Sequence, residues 1–152
     1  MFATYNIQNA AHNYCDSGEI LLFLDGDDEL IGPSTFKLIN SMYQQPNQEF
    51  WIVYTNFITS KFTVGKSHSL TKDFYESPRR ELYIFGAMRT VLVDLYRKID
   101  DKDHRDSRGN YWKIAYDLAM QCPLLEMAGI ERVHYIPELV YFYNYHSLND
   151  GG

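Results

Sequence analysis

Ile20-Leu21-Leu22-Phe23-Leu24 is an unbroken apolar run that stops abruptly at Asp25-Gly26-Asp27-Asp28-Glu29. The run is too short for a buried helix and lacks the polar alternation of a half-exposed strand. It predicts a strand over residues 19–24 covered on both faces, the pattern of a parallel sheet flanked by helices. Asp16-Ser17-Gly18 supplies the turn before it.

The neighbouring segments extend this reading. Residues 5–15 carry Ile7, Ala10, Ala11 and Tyr14 at helical spacing. Pro33 suits the first turn of a second helix, with a Phe36, Ile39, Met42 and Tyr43 stripe stopped by Pro46-Asn47. Phe50–Ile58 is rich in aromatic and β-branched residues and predicts a strand. Residues 60–80 read as loops with short extended pieces. Residues 87–99 predict an amphipathic helix, with Met88, Val91, Leu92, Leu95 and Ile99 opposite Arg89, Asp94 and Lys98. Asp100–Asn110 is dense in charge and predicts a solvated loop. A helix follows from Trp112 toward Ala128, kinked or split at Pro123, and Val133–Ile136 and Leu139–Tyr145 close the chain as strands. The class is α/β, a mixed sheet flanked by helices, and 152 residues suffice for a single domain, 1–152. Nothing precedes the first strand that could pair with one of its sides. That predicts either pairing by an unexpected segment or a bare edge, and a bare edge invites self-association.

Composition narrows the function. A net charge of −6 gives no general attraction to phosphate backbones, which argues against broad nucleic-acid binding. The longest apolar runs hold five residues, against about 20 for a membrane span. Met1-Phe2-Ala3-Thr4-Tyr5-Asn6 lacks the basic-then-apolar plan of a secretory signal. Cys15 and Cys122 lack metal or redox spacing and suit reduced thiols in the cytoplasm, one disulfide remaining open as the alternative.

The acidic loop carries the chemistry. Asp25 and Asp27 stand at the carboxyl end of a strand, where α/β folds bind ligands. Alternate carboxylates around a glycine can face one hard cation, Mg²⁺ or Mn²⁺, with water and phosphate oxygens completing the shell. The bland alternative is an acidic turn capping the helix near Pro33. An EF-hand reading fails, since its sixth position would be Leu30 and its twelfth Phe36. A haloacid-dehalogenase-like phosphatase matches the strand-then-Asp-x-Asp layout, but Asp28-Glu29 stand where that family has Gly-Thr.

Asn9-Ala10-Ala11, Asp16-Ser17-Gly18-Glu19, the strand and Asp25-Gly26-Asp27-Asp28 together resemble the centre of a family 2 glycosyltransferase of the GT-A fold. Gly86-Ala87-Met88-Arg89-Thr90 is similar to the Leu-Arg-Thr segment of one branch. Asp117-Leu118 with Pro123 through Gly129 resembles that branch's helix bearing the catalytic carboxylate, and Ile136 through Tyr141 resembles its closing strand. The matches keep family order from about residue 9 to 150. The resemblance implies metal-dependent sugar transfer from a nucleotide-diphosphate donor to an acceptor glycan or other hydroxyl compound. Asp27 would hold Mn²⁺ or Mg²⁺, Asp25 the same metal or the ribose, Asp28 and Arg89 the substrates, and Asp117 would serve as base. His146 falls near a family position close to the metal. Relatives carry a Glu-Asp pair just upstream of the base, where Ile114-Ala115 stand here.

Several of these residues have a plainer alternative. Lys113, Asp117 and Gln121 form an i, i+4, i+8 stripe, so Asp117 is either a base or a surface partner of Lys113. Arg89 is either a phosphate ligand or part of a polar helix face, and His146 a metal ligand or a surface residue. His104 among Asp100, Asp101, Asp103 and Asp106 reads as part of a solvated loop more than as a second metal site. Tyr141-Phe142-Tyr143 and Tyr145 either stack on sugar rings or fill the core. The family's opening strands, which hold the nucleotide base, have no counterpart here. The expectation is therefore the C-terminal portion of a GT-A domain with weak turnover on its own, or a catalytically silent binding module on the same fold remnant.

Overall fold

A computed structural model of the chain describes residues 3–80, 85–113 and 115–145. Its strands are β1 (Ile20–Phe23), β2 (Glu29–Leu30), β3 (Ile52–Thr59), β4 (Arg89–Leu92) and β5 (Val133–Tyr143). The helices are α1 (Ala3–Asn13), α2 (Thr35–Tyr43), α3 (Lys72–Glu76), α4 (Val93–Tyr96) and α5 (Tyr116–Ala128). Among the described residues these strands form one sheet in the order β1-β4-β3-β5-β2. The α/β class with a mixed sheet is therefore what the structure has.

The sheet is more antiparallel than the sequence suggests. β1 runs antiparallel to β4 with Leu22 opposite Thr90, β4 antiparallel to β3, and β2 antiparallel to β5; only β3 and β5 pair parallel. The expectation of a parallel sheet around β1 is thus corrected. β1 is paired on one side by an unexpected segment, β4, and lies at an edge of the sheet. Strand alternation explains why its whole sequence is apolar. Leu21 and Phe23 pack with Ala11, Tyr96 and Leu124 on one face, and Leu22 packs with Ile39, Val53 and Met88 on the other.

The predicted helix over 87–99 is also corrected. Residues 89–92 are strand and only Val93–Tyr96 are helical. A strand buried between two neighbours needs no polar alternation, so Met88, Val91, Leu92 and Leu95 matched a helical period by coincidence. α2 starts two residues after Pro33, but Phe36 is exposed and the helix is anchored by Ile39. α5 begins at Tyr116, four residues later than predicted, and passes through Pro123 as one continuous helix.

The two closing strands are one, and Pro137 marks an irregularity within it. Ile136 faces Thr55, Leu139 faces Asn56, and Tyr141 faces Phe57. Pro137 has no N–H to offer a ladder and is tolerated where pairing is interrupted. The slip breaks strict alternation, so consecutive residues Val140 and Tyr141 are both buried. It is this bulge that turns the Tyr141 side chain toward the acidic loop.

Candidate functional site

The loop after β1 is exposed along most of its length but anchored to the sheet at Asp28. Asp28 N–H donates to the Asp25 carbonyl at 3.1 Å and closes a turn. The Tyr141 hydroxyl donates to Asp28 Oδ2 at 2.6 Å and accepts from Asp25 N–H at 3.4 Å, while Asn144 N–H donates to Asp28 Oδ1 at 2.7 Å. Asp28 is buried, with both oxygens engaged by its own chain. Burial raises its pKa above the ordinary carboxylate value, the two donors work against that rise, and the Asp27 and Asp25 charges add to it. Burial and the Asp28 carboxylate together push the Tyr141 phenol well above its ordinary value. In this structure Asp28 acts as the strut of the loop.

Asp25 and Asp27 remain exposed. Asp25 opens onto a cavity of about 610 Å³ whose wall also includes Arg89, Tyr116 and Asp117. Three of the site residues named from the sequence thus meet in one pocket from three distant elements. Arg89 is carried by β4, which corrects its placement on a polar helix face. Asp117 lies in the first turn of α5, its Oδ2 3.6 Å from Arg89 Nη1. Lys113 precedes the helix, so the predicted stripe through Asp117 does not form, and Gln121 is buried. Ala115, in the left-handed region at φ 54°, is the cap that starts α5 beside the pocket. His146 lies outside the described residues.

Tyr116 was not singled out by sequence, although it directly precedes Asp117. Its hydroxyl donates to Asp25 Oδ1 at 3.3 Å and joins α5 to the acidic loop. Burial and the Asp25 charge push its pKa up to about 12. Asp25, Arg89 and Tyr116 also line an adjoining cavity of about 320 Å³ against α1. The opposite wall of the main pocket is apolar and aromatic: Phe57 and Tyr143, with ring centroids 5.9 Å apart, beside Gly65 and Gly86. A side chain at Gly86 would overlap the Ser67 hydroxyl, which accepts Gly86 N–H at 3.1 Å, and would press on the Phe57 ring. Gly86→Ala is therefore expected to lower stability by about 1–3 kcal/mol. A urea midpoint unchanged from wild type would show that this wall yields freely.

His104 departs furthest from its expectation. It is fully buried and stacked on Tyr96 at 5.8 Å, so its loop is not simply solvated. Asp101 instead holds Arg105 at 2.6 Å and accepts from the Tyr111 hydroxyl at 3.0 Å. Among the described residues no group of three or more His, Cys, Asp or Glu is placed to hold a metal ion. A magnesium-type site needs less, since one or two carboxylates plus substrate phosphates and water can complete its shell. Asp25 stands at the pocket wall, and Asp27, exposed two residues on, is not among the residues that line it. The chain matches no protein-family model and no curated protein.

Proposed function

We propose that this chain is a glycosyltransferase of the GT-A type, moving a sugar from a nucleotide-diphosphate donor to an acceptor hydroxyl. The observation that carries the reading is the convergence of Asp25, Arg89 and Asp117 on one pocket wall, from elements that the sequence keeps far apart. Asp25 and Asp27 would hold a divalent cation, which when bound neutralises charge on the departing diphosphate. Asp117 accepts the acceptor hydroxyl proton as that oxygen bonds to the anomeric carbon, and the bond from that carbon to the diphosphate oxygen breaks with its electron pair. Arg89 orients Asp117 through their ion pair and offers a planar fork to phosphate. Tyr116 fixes the spacing between the acidic loop and the helix that carries the base.

Among the described residues no helix is long and apolar enough to cross a membrane. Cys15 and Cys122 are free thiols, which supports a cytoplasmic setting. The outer edge of β1, without a strand partner among the described residues, offers a surface for self-association.

The test is thermal unfolding of the full chain with Mn²⁺ and uridine or guanosine diphosphate. Specific binding to the folded state raises the melting temperature, by an amount equivalent to about 2.7 kcal/mol at a hundredfold excess over Kd. Asp27→Ala should abolish the shift. Asp117→Asn should retain it while losing sugar transfer. The silent-module alternative draws on the same Arg89–Asp117 pair, which also reads as a structural clasp. A chain that shows no shift, or one indifferent to Asp27→Ala, belongs to that alternative. Phosphate release from a simple phosphomonoester, lost in Asp25→Asn, would instead assign the phosphatase chemistry.

A further inference from the structure

The rim of the pocket differs in character from the rest of this acidic chain. From Phe50 through Lys72 the sequence holds no Asp or Glu, and Lys61, Lys66 and Lys72 all fall within it. The turn after β3 lies in this stretch. Thr59 N–H donates to the Thr63 carbonyl at 2.9 Å, and Phe62 N–H donates to the Thr59 carbonyl at 2.8 Å. The Thr59 and Thr63 hydroxyls meet at 2.7 Å, and the Thr59 hydroxyl also accepts Lys61 and Thr63 N–H at 3.2 Å each.

This well-bonded turn presents apolar side chains outward. Phe62 is 83% exposed and Val64 55% exposed. Phe62 also sits in the left-handed region at φ 58°, a conformation disfavoured for a bulky residue. Lys61 lies over the Tyr145 ring at 3.2 Å, and Tyr145 N–H donates to the Ser60 hydroxyl at 3.0 Å, which ties the turn to the chain beyond β5. Thr59, Thr63, Val64 and Lys66 line the mouth of the same cavity as Asp25 and Asp117.

We propose that this turn is a docking face for an anionic membrane surface, with Phe62 and Val64 entering the headgroup boundary and Lys61 and Lys66 meeting acidic lipid. Charge complementarity selects the occupant: a cationic patch on a chain of net charge −6 attracts an anionic surface. The exposed aromatic tip selects a bilayer over a soluble polyanion, because phosphate charges alone give Phe62 nothing to bury against. Resting on the proposed function, the face narrows the acceptor class to a hydroxyl compound borne on lipid and delivered at the pocket mouth.

The experiment is co-sedimentation of the full chain with vesicles of phosphatidylcholine, with and without phosphatidylglycerol, at low and high salt. Binding should require the anionic lipid and weaken with salt. Phe62→Gly should lower partitioning roughly tenfold, the scale of withdrawing one Phe side chain from an apolar phase. Lys61→Glu with Lys66→Glu should lower it further than that. Glycine accepts the left-handed backbone, so Phe62→Gly should melt no lower than wild type, which separates lost docking from lost folding. Equal partitioning of wild type and Phe62→Gly would overturn the proposal, as would binding to heparin equal to vesicle binding and indifferent to Phe62. The Mn²⁺–nucleotide shift separates the two claims. A chain that shows the shift but ignores vesicles refutes only the docking face, and one that binds vesicles without the shift refutes only the transferase reading.

Discussion

Asp28→Ala is expected to destabilise the fold by about 3 kcal/mol, seen as a fall in urea midpoint at unchanged slope. The substitution leaves the Tyr141 hydroxyl and Asn144 N–H without the carboxylate that accepts both. It also frees the loop carrying Asp25 and Asp27, so any metal–nucleotide affinity should fall with it. Asp28→Asn isolates the charge, because its amide oxygen can still accept from Asn144 and its nitrogen can donate to Tyr141. The sign of the pH effect follows from the raised pKa. A carboxyl whose folded value lies above its unfolded value binds more protons in the folded state. Its contribution is complete below the ordinary value of 3.8 and is lost as pH rises through the folded value. Wild type should therefore lose stability relative to Asp28→Asn as pH climbs from about 4 toward neutrality. A gap that moves the other way would mean that the two donors outweigh burial.

Parts of this arrangement were legible in the chain. An apolar run bounded by a turn and an acidic loop marked β1, and Pro33 and Pro46 bracketed α2. Asp25, Arg89 and Asp117 were all named, and they share a pocket. Their supports were not legible. Thirteen tyrosines offer no local sign that Tyr141 would reach Asp28 or that Tyr116 would reach Asp25. Tyr141 depends on a slip at Pro137, a register effect set by pairing with β3. β4 failed for a different reason, since a four-residue strand with both sides paired has no period of its own to read. β2, with two residues, falls below any pattern. His104 was hidden by its neighbours: four aspartates mark the segment as wet, while a long-range stack on Tyr96 draws one ring inside.

That ring supplies the other large effect. His104 is completely buried, and neither ring nitrogen makes a hydrogen bond. Burial lowers its pKa below the ordinary 6.5; the Asp101 and Asp103 charges oppose this, and His12 and Arg105 reinforce it. Because the unfolded chain takes up the proton first, stability should be complete above about 6.5 and decline as pH falls toward the lowered value. His134, half-buried and stacked on Phe50 at 4.5 Å, is shifted the same way and contributes its own slope. His104→Phe keeps a ring against Tyr96 and removes both unpaired nitrogens. It should raise stability at neutral pH by about 1–3 kcal/mol, the scale of an unsatisfied buried polar group. It should also flatten the decline below the ordinary value of 6.5, leaving the part that His134→Phe removes. The lowered carboxylates Asp101, Asp106 and Glu126 act in a more acidic window, and Asp28, whose raised pKa gives the opposite slope, is common to wild type and variant and cancels in their difference. If His104→Phe instead proves less stable than wild type at neutral pH, the imidazole is satisfied in solution, and the Tyr96 stack is a polar contact rather than an apolar one.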